Sequence, residues 1–171
     1  MKKQPTSRMC FICGERNPGG LHMHFYEQED GALLGKFTGQ DMHQSYPGRM
    51  HGGVITAALD ETIGRAIMIR YGEAIWGVTV ELNVRFLKPV PLDVPLTVVG
   101  RITSDKSRVF EGSGEVLLPD GSVAADCVGR YVKMDITKIA DFDYDREEWY
   151  VRPDPEPASE TAQTALEEAS S

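Results

Sequence analysis

One acid on an otherwise apolar helical run is the residue best suited to chemistry in this sequence. Asp60 follows Gly53 by about two helical turns of roughly 3.6 residues each, so the two residues share one stripe. Ala57 and Gly64 lie on the same stripe, and such small neighbours let a ligand or a second backbone approach the carboxylate. Burying an ionised carboxylate without partners costs several kcal/mol. The position of Asp60 therefore predicts a functional acid.

The run His51-Gly52-Gly53 immediately precedes this helix. Two glycines permit a sharp turn and leave backbone N–H groups uncovered where the helix begins. These groups carry partial positive charge and can stabilise an oxygen that gains negative charge. We therefore expect the segment His51-Gly52-Gly53 to be a candidate oxyanion-binding segment. A histidine whose ring hydrogen-bonds a loop carbonyl is an equally good interpretation of His51.

Glu61 is the competing acid on the helix. It stands four positions before Arg65, the spacing of an ordinary helical ion pair. That pair would explain Glu61 without chemistry, so Asp60 is favoured as the reactive group. Thr79, on the strand expected next, is a candidate for steadying an attacking water near Asp60.

Two cysteines and two histidines near the start of the chain have the types and spacing of zinc ligands. They are Cys10, Cys13, His22 and His24. Such a set close to a chain end is more often unmetallated, so we expect no metal and no cofactor. With Cys127 the cysteines number three, which does not make a disulfide framework and is typical of a reducing compartment.

Basic residues cluster after the helix, at a strand end and at a hairpin turn where they could meet phosphates. A solvated charged surface is the alternative interpretation. The candidate ligand-binding residues of this region are Asn83, Arg85, Phe86, Lys88, Lys106, Ser107 and Arg108.

Composition places the chain among ordinary globular proteins, since 41% of its 171 residues are hydrophobic and 26% are charged. The net charge of −8 resides in the C-terminal part, because 11 acids and 3 bases lie after residue 133. We expect no nucleic-acid partner, since no basic stripe with interleaved aromatic residues occurs. No apolar run is long enough to span a bilayer and no apolar signal core begins the chain, so a cytoplasmic protein without membrane contact is expected.

The order of elements predicts an α+β fold. A hairpin over 21–26 and 32–37 precedes one long helix from Gly53 to about Ile69, closed by Gly72. Four strand-like runs follow, rich in β-branched residues and separated by turn residues: 76–87, 94–103, 109–117 and 122–133. A curved antiparallel sheet wrapped around the helix satisfies this order, and its free edges favour pairing with a second copy.

The predicted organisation has four parts. Residues 1–20 contain a Cys-x-x-Cys loop after a loose start, and residues 21–133 form the folded domain. Residues 134–151 form an acidic C-terminal extension. Pro, Glu, Ser and Ala dominate residues 152–171, which predicts disorder there.

These residues resemble the hotdog-fold acyl-CoA thioesterases, and in particular the PaaI-like branch. Four pieces carry the resemblance: Cys10 to Leu21 with its Asn-Pro pair, His51-Gly52-Gly53 with Asp60, the strand from Thr79 to Val90, and Ser122 to Arg130 after a Pro-Asp-Gly turn. It covers about residues 10–133. The hotdog fold is itself a curved antiparallel sheet around one long central helix.

The resemblance implies a homodimer or homotetramer whose active sites lie between subunits. The His-Gly-Gly segment would come from one subunit and the acid, Asp60, from its neighbour. Gly53 would hold the thioester oxygen, and Asp60 would be the nucleophile or the general base for water. The expected partner is acyl-CoA or CoA, with the pantetheine arm in a tunnel between subunits.

Two other functions use the same scaffold. A hydratase or dehydratase of enoyl or hydroxyacyl thioesters pairs a histidine with a carboxylate, and the glycines after His51 fit that pattern less well. A non-catalytic acyl-CoA-binding protein would bind the thioester without turnover.

Overall fold

The central helix is enclosed by protein because apolar side chains cover most of its circumference. In the computed structural model, which describes residues 1–154, this helix is α1 (Gly52–Ala66). Ala58, Leu59 and Ile63 on it have no exposed surface. Burial of that kind stabilises the fold by about 1.5–3 kcal/mol for each large aliphatic side chain.

The predicted single helix is divided in two by the structure. The short helix α2 (Met68–Tyr71) follows α1, with Ile67 between them. Ile67 keeps helical dihedral angles, φ −62° and ψ −28°, so the hydrogen-bonding pattern breaks while the chain direction continues. Gly72 ends α2 as predicted, with a φ of +58° that favours glycine.

Seven strands form one antiparallel sheet around α1. Their bounds are β1 (Lys2–Lys3), β2 (His24–Glu27), β3 (Leu33–Thr38), β4 (Trp76–Phe86), β5 (Pro95–Asp105), β6 (Val109–Leu117) and β7 (Val123–Met134). The predicted hairpin and all four later strands are present. The expected α+β architecture, a curved antiparallel sheet around one helix, is confirmed.

Strand order places β4 at the edge of the sheet, since the order is β1-β2-β3-β5-β6-β7-β4. One side of β4 pairs with β7, from Trp76 opposite Met134 to Phe86 opposite Ala125. The other side has no partner strand within residues 1–154. An unpaired edge strand presents free backbone N–H and C=O groups to solvent or to another chain.

The first nine residues were expected to be loose, and the structure shows that this was wrong. β1 pairs with β2, and Thr6 forms a bridge with Tyr150. Gln4, Thr6 and Ser7 are buried. Gln4 bonds to Glu27 and Thr6 to Arg152, and such distant partners are not visible in a local sequence window.

The acidic extension also packs on the body. Trp149 is only 8% exposed and its ring lies 4.9 Å from that of Trp76. Lys3 forms an ion pair with Asp154 near the end of the described residues. The prediction of disorder for 152–171 falls almost entirely on residues outside those that the structure describes. Within residues 1–154, none of the helices has the length and apolar character needed to cross a membrane.

Candidate functional site

Asp60 lines a cleft of about 220 Å³, hereafter the Asp60 cleft. The cleft lies between α1, the start of β4, the Cys10–Cys13 loop and the C-terminal extension. The Thr79 hydroxyl donates a hydrogen bond to Asp60 Oδ1 at 2.8 Å, and the Tyr131 hydroxyl donates to the Asp60 carbonyl oxygen at 3.2 Å. The acid is therefore oriented by neighbours and still faces open space.

Burial raises the pKa of Asp60, and the hydroxyl groups of Thr79 and Tyr131 oppose that rise. A carboxylate that is poorly solvated is a stronger base than one in water. This is the environment expected for a general base or a nucleophile.

The small residues on the Asp60 stripe meet a second backbone. A Cβ placed on Gly77 of β4 would lie 2.9 Å from the Gly64 carbonyl oxygen, so the helix and the strand touch at their glycines. This close approach brings Thr79 within hydrogen-bonding reach of Asp60.

The predicted ion pair between Glu61 and Arg65 is present, with Arg65 Nε 2.7 Å from Glu61 Oε1. Arg65 is 5% exposed, and its guanidinium lies between the rings of Phe25 and Trp149 at 4.5 and 4.7 Å from their centroids. Because Glu61 neutralises the buried charge of Arg65, we assign Glu61 a structural role. This arrangement supports the choice of Asp60 over Glu61.

His51 caps the start of α1. Its Nδ1 accepts a hydrogen bond from the Gly53 N–H at 2.9 Å, and its carbonyl accepts from Val54 and Ile55. In residues 1–154 no acceptor meets the Gly52 N–H. The free donor at the helix start is therefore that of Gly52, whereas the expected oxyanion donor, Gly53, already holds the histidine ring.

One chain cannot bring its own helix start to its own acid. Gly52 and Asp60 are eight residues apart on α1, about 12 Å along the axis at 1.5 Å per residue. An oxyanion donor and an attacking carboxylate must both lie about 3 Å from one carbonyl group. The Gly52 N–H and the Asp60 carboxylate of a single chain therefore cannot act on the same carbonyl group.

Gly52 opens onto a second cleft, the helix-start cleft, of about 440 Å³. Tyr46, Arg49, Phe86 and Lys88 line it. Phe86 is 56% exposed, and its ring lies 3.4 Å from where a Gly52 Cβ would stand. The structure thus brings Phe86 and Lys88, two of the candidate ligand-binding residues, next to the free N–H.

The other candidate ligand-binding residues lie elsewhere. Asn83 and Arg85 line a separate cleft of about 440 Å³ on the outer part of the sheet. Arg85 makes two hydrogen bonds to Asp126, at 2.8 and 2.6 Å, so its charge is already partnered. Lys106, Ser107 and Arg108 are exposed at the turn between β5 and β6.

The sheet register separates these basic groups within one chain. Lys88 follows the end of β4 that pairs with Ala125, whereas the β5–β6 turn lies near Lys133, at the opposite end of the sheet. A strand of β4's 11 residues spans about 35 Å. One chain alone therefore offers no common phosphate site for both groups.

The four candidate zinc ligands are not brought together. His22 Nε2 lies 2.7 Å from the Asn17 carbonyl oxygen, and His24 Nε2 lies 3.4 Å from a Glu15 carboxylate oxygen. Among the residues described, Cys10 and Cys13 group with Glu61 instead, their ligand atoms lying within 4.8 Å of one another. Only His24 lies in the hairpin register, opposite Lys36, whereas His22 precedes β2 with a φ of +50°, which corrects the hypothesis of a four-residue site.

Several residues of the Asp60 cleft were missed by the sequence argument. Tyr131, Phe142 and Trp149 line the cleft, and Arg65 was treated only as a partner of Glu61. The alternation on β7 places Tyr131 on the face of Cys127, toward the helix, which was a usable signal. Phe142 and Trp149 in an acidic segment were a weaker signal, because burial of aromatic side chains removes a large apolar area from water.

This chain is similar in sequence to known thioesterases and esterases. A family model described as the thioesterase superfamily matches residues 47–125. An inferred esterase of Saccharolobus solfataricus is 33% identical over 84 residues, which are 49% of this chain and 59% of that protein. The chain therefore matches about three fifths of that relative's length.

Solved structures of similar fold include a thioesterase superfamily protein that is 29% identical, with a TM-score of 0.65 over 73% of this chain and 63% of that one. A thioesterase from Haemophilus influenzae is 13% identical, with a TM-score of 0.64 over 72% and 86%. A hypothetical thioesterase from Streptococcus pneumoniae, solved with coenzyme A, is 18% identical, with a TM-score of 0.59 over 66% and 89%. At identities of 13% and 18%, the likeness to the last two proteins shows a shared fold and nothing more.

Proposed function

We propose that this chain is a member of the hotdog-fold thioesterase superfamily that hydrolyses acyl-CoA thioesters to a carboxylic acid and CoA. The observation that carries the proposal is the position of Asp60, a partly buried carboxylate held by Thr79 at 2.8 Å and facing an open cleft. The free Gly52 N–H at the helix start supports it, because thioester hydrolysis also needs an oxyanion donor.

Asp60 would act by one of two routes. As a general base it takes a proton from water while the oxygen attacks the thioester carbon. As a nucleophile it attacks that carbon itself and forms an anhydride that water then cleaves. In both routes the carbonyl oxygen gains charge at the helix N-terminus, the C–S bond breaks, and the CoA thiolate takes up a proton.

Two copies of the chain are needed to assemble this site. A two-fold axis that pairs β4 with the partner's β4 makes the two strands antiparallel, so the Phe86 end of one faces the Trp76 end of the other. An axis between Leu82 and Asn83 would place Phe86, and with it Gly52, opposite the partner's Thr79 and Asp60. Val80 and Phe86, 58% and 56% exposed, would be covered by this contact.

The same pairing would join the separated basic residues. The end of β4 that carries Lys88 would meet the partner's β5–β6 turn, with its Lys106 and Arg108. We propose that these side chains, with Ser107 between Lys106 and Arg108, bind the CoA phosphates, and that Asn83 and Phe86 line the path of the pantetheine arm. Arg85 contributes less than expected, because Asp126 neutralises its charge. The coenzyme A bound to the Streptococcus pneumoniae protein is consistent with such a ligand.

Thiol release from a panel of acyl-CoA substrates tests the proposal. The variant Asp60→Asn keeps the size of the side chain and removes the charge, so kcat should fall about 10²- to 10⁴-fold. Glu61→Gln is the matched control for charge removal beside Asp60: losing the ion pair with Arg65 should lower its stability, but its kcat at a temperature where it is folded should stay within a few-fold of the wild type. Hydrolysis by Asp60→Asn at the wild-type rate would remove Asp60 from the mechanism.

The same samples separate the alternative functions. A hydratase would change the absorbance of an enoyl-CoA without releasing thiol, and a binding protein would bind CoA thioesters without turnover. Hydrolysis is favoured because His51 Nδ1 already accepts the Gly53 N–H. A neutral ring then carries its proton on Nε2 and cannot serve there as the base that hydration needs.

A further inference from the structure

Two cysteines share a tight turn at one end of the Asp60 cleft and take no part in the proposed hydrolysis. The Gly14 N–H donates to the Cys10 carbonyl at 2.8 Å, which closes the turn over Cys10 and Cys13. Their Sγ atoms lie within 4.8 Å of each other. The backbone N–H groups of Ile12 and Cys13 also point at the Cys10 sulfur, at 3.3 and 3.5 Å.

Cys13 faces a buried cation. Arg65 Nη2 lies 3.1 Å from the Cys13 sulfur, and the Ser7 hydroxyl lies 3.5 Å from it. The same guanidinium is fixed by Glu61 at 2.7 Å and by the Pro5 carbonyl at 2.8 Å. A guanidinium held in this way cannot move away, so it favours the thiolate form of Cys13.

The three thiols of the chain consequently differ in their tendency to ionise. The hydrogen bond from Cys10 is the main cause that lowers the pKa of Cys13, and the charge of Arg65 lowers it further, although burial acts in the opposite direction. The pKa of Cys10 is raised, because it is the partner that keeps its proton. Burial and the charge of Asp60 raise the pKa of Cys127 to about 11. The chain thus contains its own unreactive reference thiol.

We propose that Cys10 and Cys13 form an oxidisable dithiol site that peroxides convert to a disulfide. The Cys13 thiolate attacks one peroxide oxygen, the O–O bond breaks, and Cys13 becomes a sulfenic acid while hydroxide leaves. The Cys10 thiol then attacks the Cys13 sulfur, the S–O bond breaks, and the oxygen departs as water with the thiol proton. The two sulfurs lose two electrons in total, and the peroxide gains them.

The surroundings allow this chemistry better than they allow a metal. Both cysteines line the Asp60 cleft, which gives a molecule as small as hydrogen peroxide a route toward them, although Cys13 itself is only 1% exposed. Glu61, the third possible metal ligand beside Cys10 and Cys13, already forms an ion pair with Arg65. The Arg65 guanidinium also lies against the Cys13 sulfur, so its positive charge would repel a metal ion there. Structural zinc prefers four ligands without a competing cation.

The test treats the full-length reduced protein with hydrogen peroxide and maps thiols by mass spectrometry. We expect a loss of about 2 Da, the two hydrogens of a dithiol, and a Cys10–Cys13 disulfide with Cys127 still reduced. Cys13 should react at least about tenfold faster than Cys127 near neutral pH, because only thiolates react. Cys10→Ser should stop at a Cys13 sulfenic acid that dimedone traps, whereas Cys13→Ser should lose the fast reaction.

Ser7→Ala serves as a mild variant that keeps both cysteines. Removing the Ser7 hydroxyl should raise the Cys13 pKa and move the pH profile of peroxide reaction to higher pH. Cys127→Ser should behave as the wild type. Equal reactivity of the three thiols, or oxidation of Cys127 alone, would overturn the proposal. So would one equivalent of zinc that survives chelation and protects both cysteines. These readouts do not involve thioester hydrolysis, so the two proposals fail separately.

Discussion

Asp60 combines a charge with partial burial, and that conflict has consequences for both rate and stability. Thr79 is the neighbour that moderates the conflict, because its hydroxyl donates directly to the carboxylate at 2.8 Å. Loss of that bond should therefore change the ionisation of Asp60 before it changes anything else.

Thr79→Val should shift the acidic limb of the pH–rate profile of thioester hydrolysis to higher pH. The Thr79 hydrogen bond lowers the pKa of Asp60, and valine of similar shape cannot donate it. The rate at about pH 5 should fall by up to about tenfold, while the plateau at higher pH changes little. Thr79→Ser keeps the hydroxyl and should keep the wild-type limb. An unchanged limb in the valine variant would show that Thr79 does not act on Asp60.

Asp60→Asn should be more stable than the wild type at neutral pH. Because burial raises the Asp60 pKa, the folded protein binds this proton more tightly than the unfolded chain does. This difference lowers the free energy of unfolding of the wild type. The loss is absent below the pKa of Asp60 in the unfolded chain, about 4, grows as the pH rises, and is complete above the pKa of Asp60 in the folded protein. Urea unfolding should therefore separate the two proteins at about pH 7 and not at about pH 3. A wild type that is more stable at neutral pH would contradict this.

At the scale of elements, the start of α1 decides which N–H is available to a ligand. His51 supplies the cap and uses the Gly53 N–H, which leaves that of Gly52. Gly52 is the first residue of the helix, a position where proline is tolerated because its missing N–H has no helical partner. His51, with φ −66° and ψ 135°, already has a conformation that suits a residue before proline.

Gly52→Pro should therefore remove the free N–H and leave the helix intact. Loss of one oxyanion donor should lower kcat about 10²- to 10³-fold, with no loss of thermal stability. Gly52→Ala is the matched control, because it adds the same Cβ near Phe86, at an ordinary contact distance of 3.4 Å, and keeps the N–H. Equal activity of the two variants would assign the donor to another group.

At the scale of the whole molecule, the site is divided between two ends of one chain. Gly52 and Phe86 mark one end, and Asp60 and Thr79 mark the other. In the proposed two-fold pairing of β4 edges, opposite ends would come together, so each active site would take its acid from one copy and its donor from the other.

Mixed assemblies test this arrangement. Gly52→Pro and Asp60→Asn chains should each be nearly inactive alone. Refolded together in equal amounts, they should recover about a quarter of wild-type activity, since half of the dimers are mixed and half of the sites in those are intact. A mixture of Asp60→Asn with the double variant contains no intact site and should stay inactive. The absence of recovery in the first mixture would place both groups in one chain.

Local pattern was sufficient for most elements. β6 occupies Val109–Leu117 as predicted, and the ion pair predicted from the spacing of Glu61 and Arg65 is present. Such features depend on residues a few positions apart, whose geometry is fixed by the period of a strand or a helix. For the same reason the sequence identified the fold class and the residues that begin the central helix.

Tertiary structure alone decided the surroundings of these residues. The buried Thr6, the Cys10–Cys13 turn against Arg65, and Trp149 over the same guanidinium bring together parts of the chain that are more than 50 residues apart. It also decided that β4 lies at the sheet edge and that the Gly53 N–H is taken by His51. These outcomes depend on which distant surfaces fit together and on which rotamer one side chain adopts, and neither is encoded in a local period.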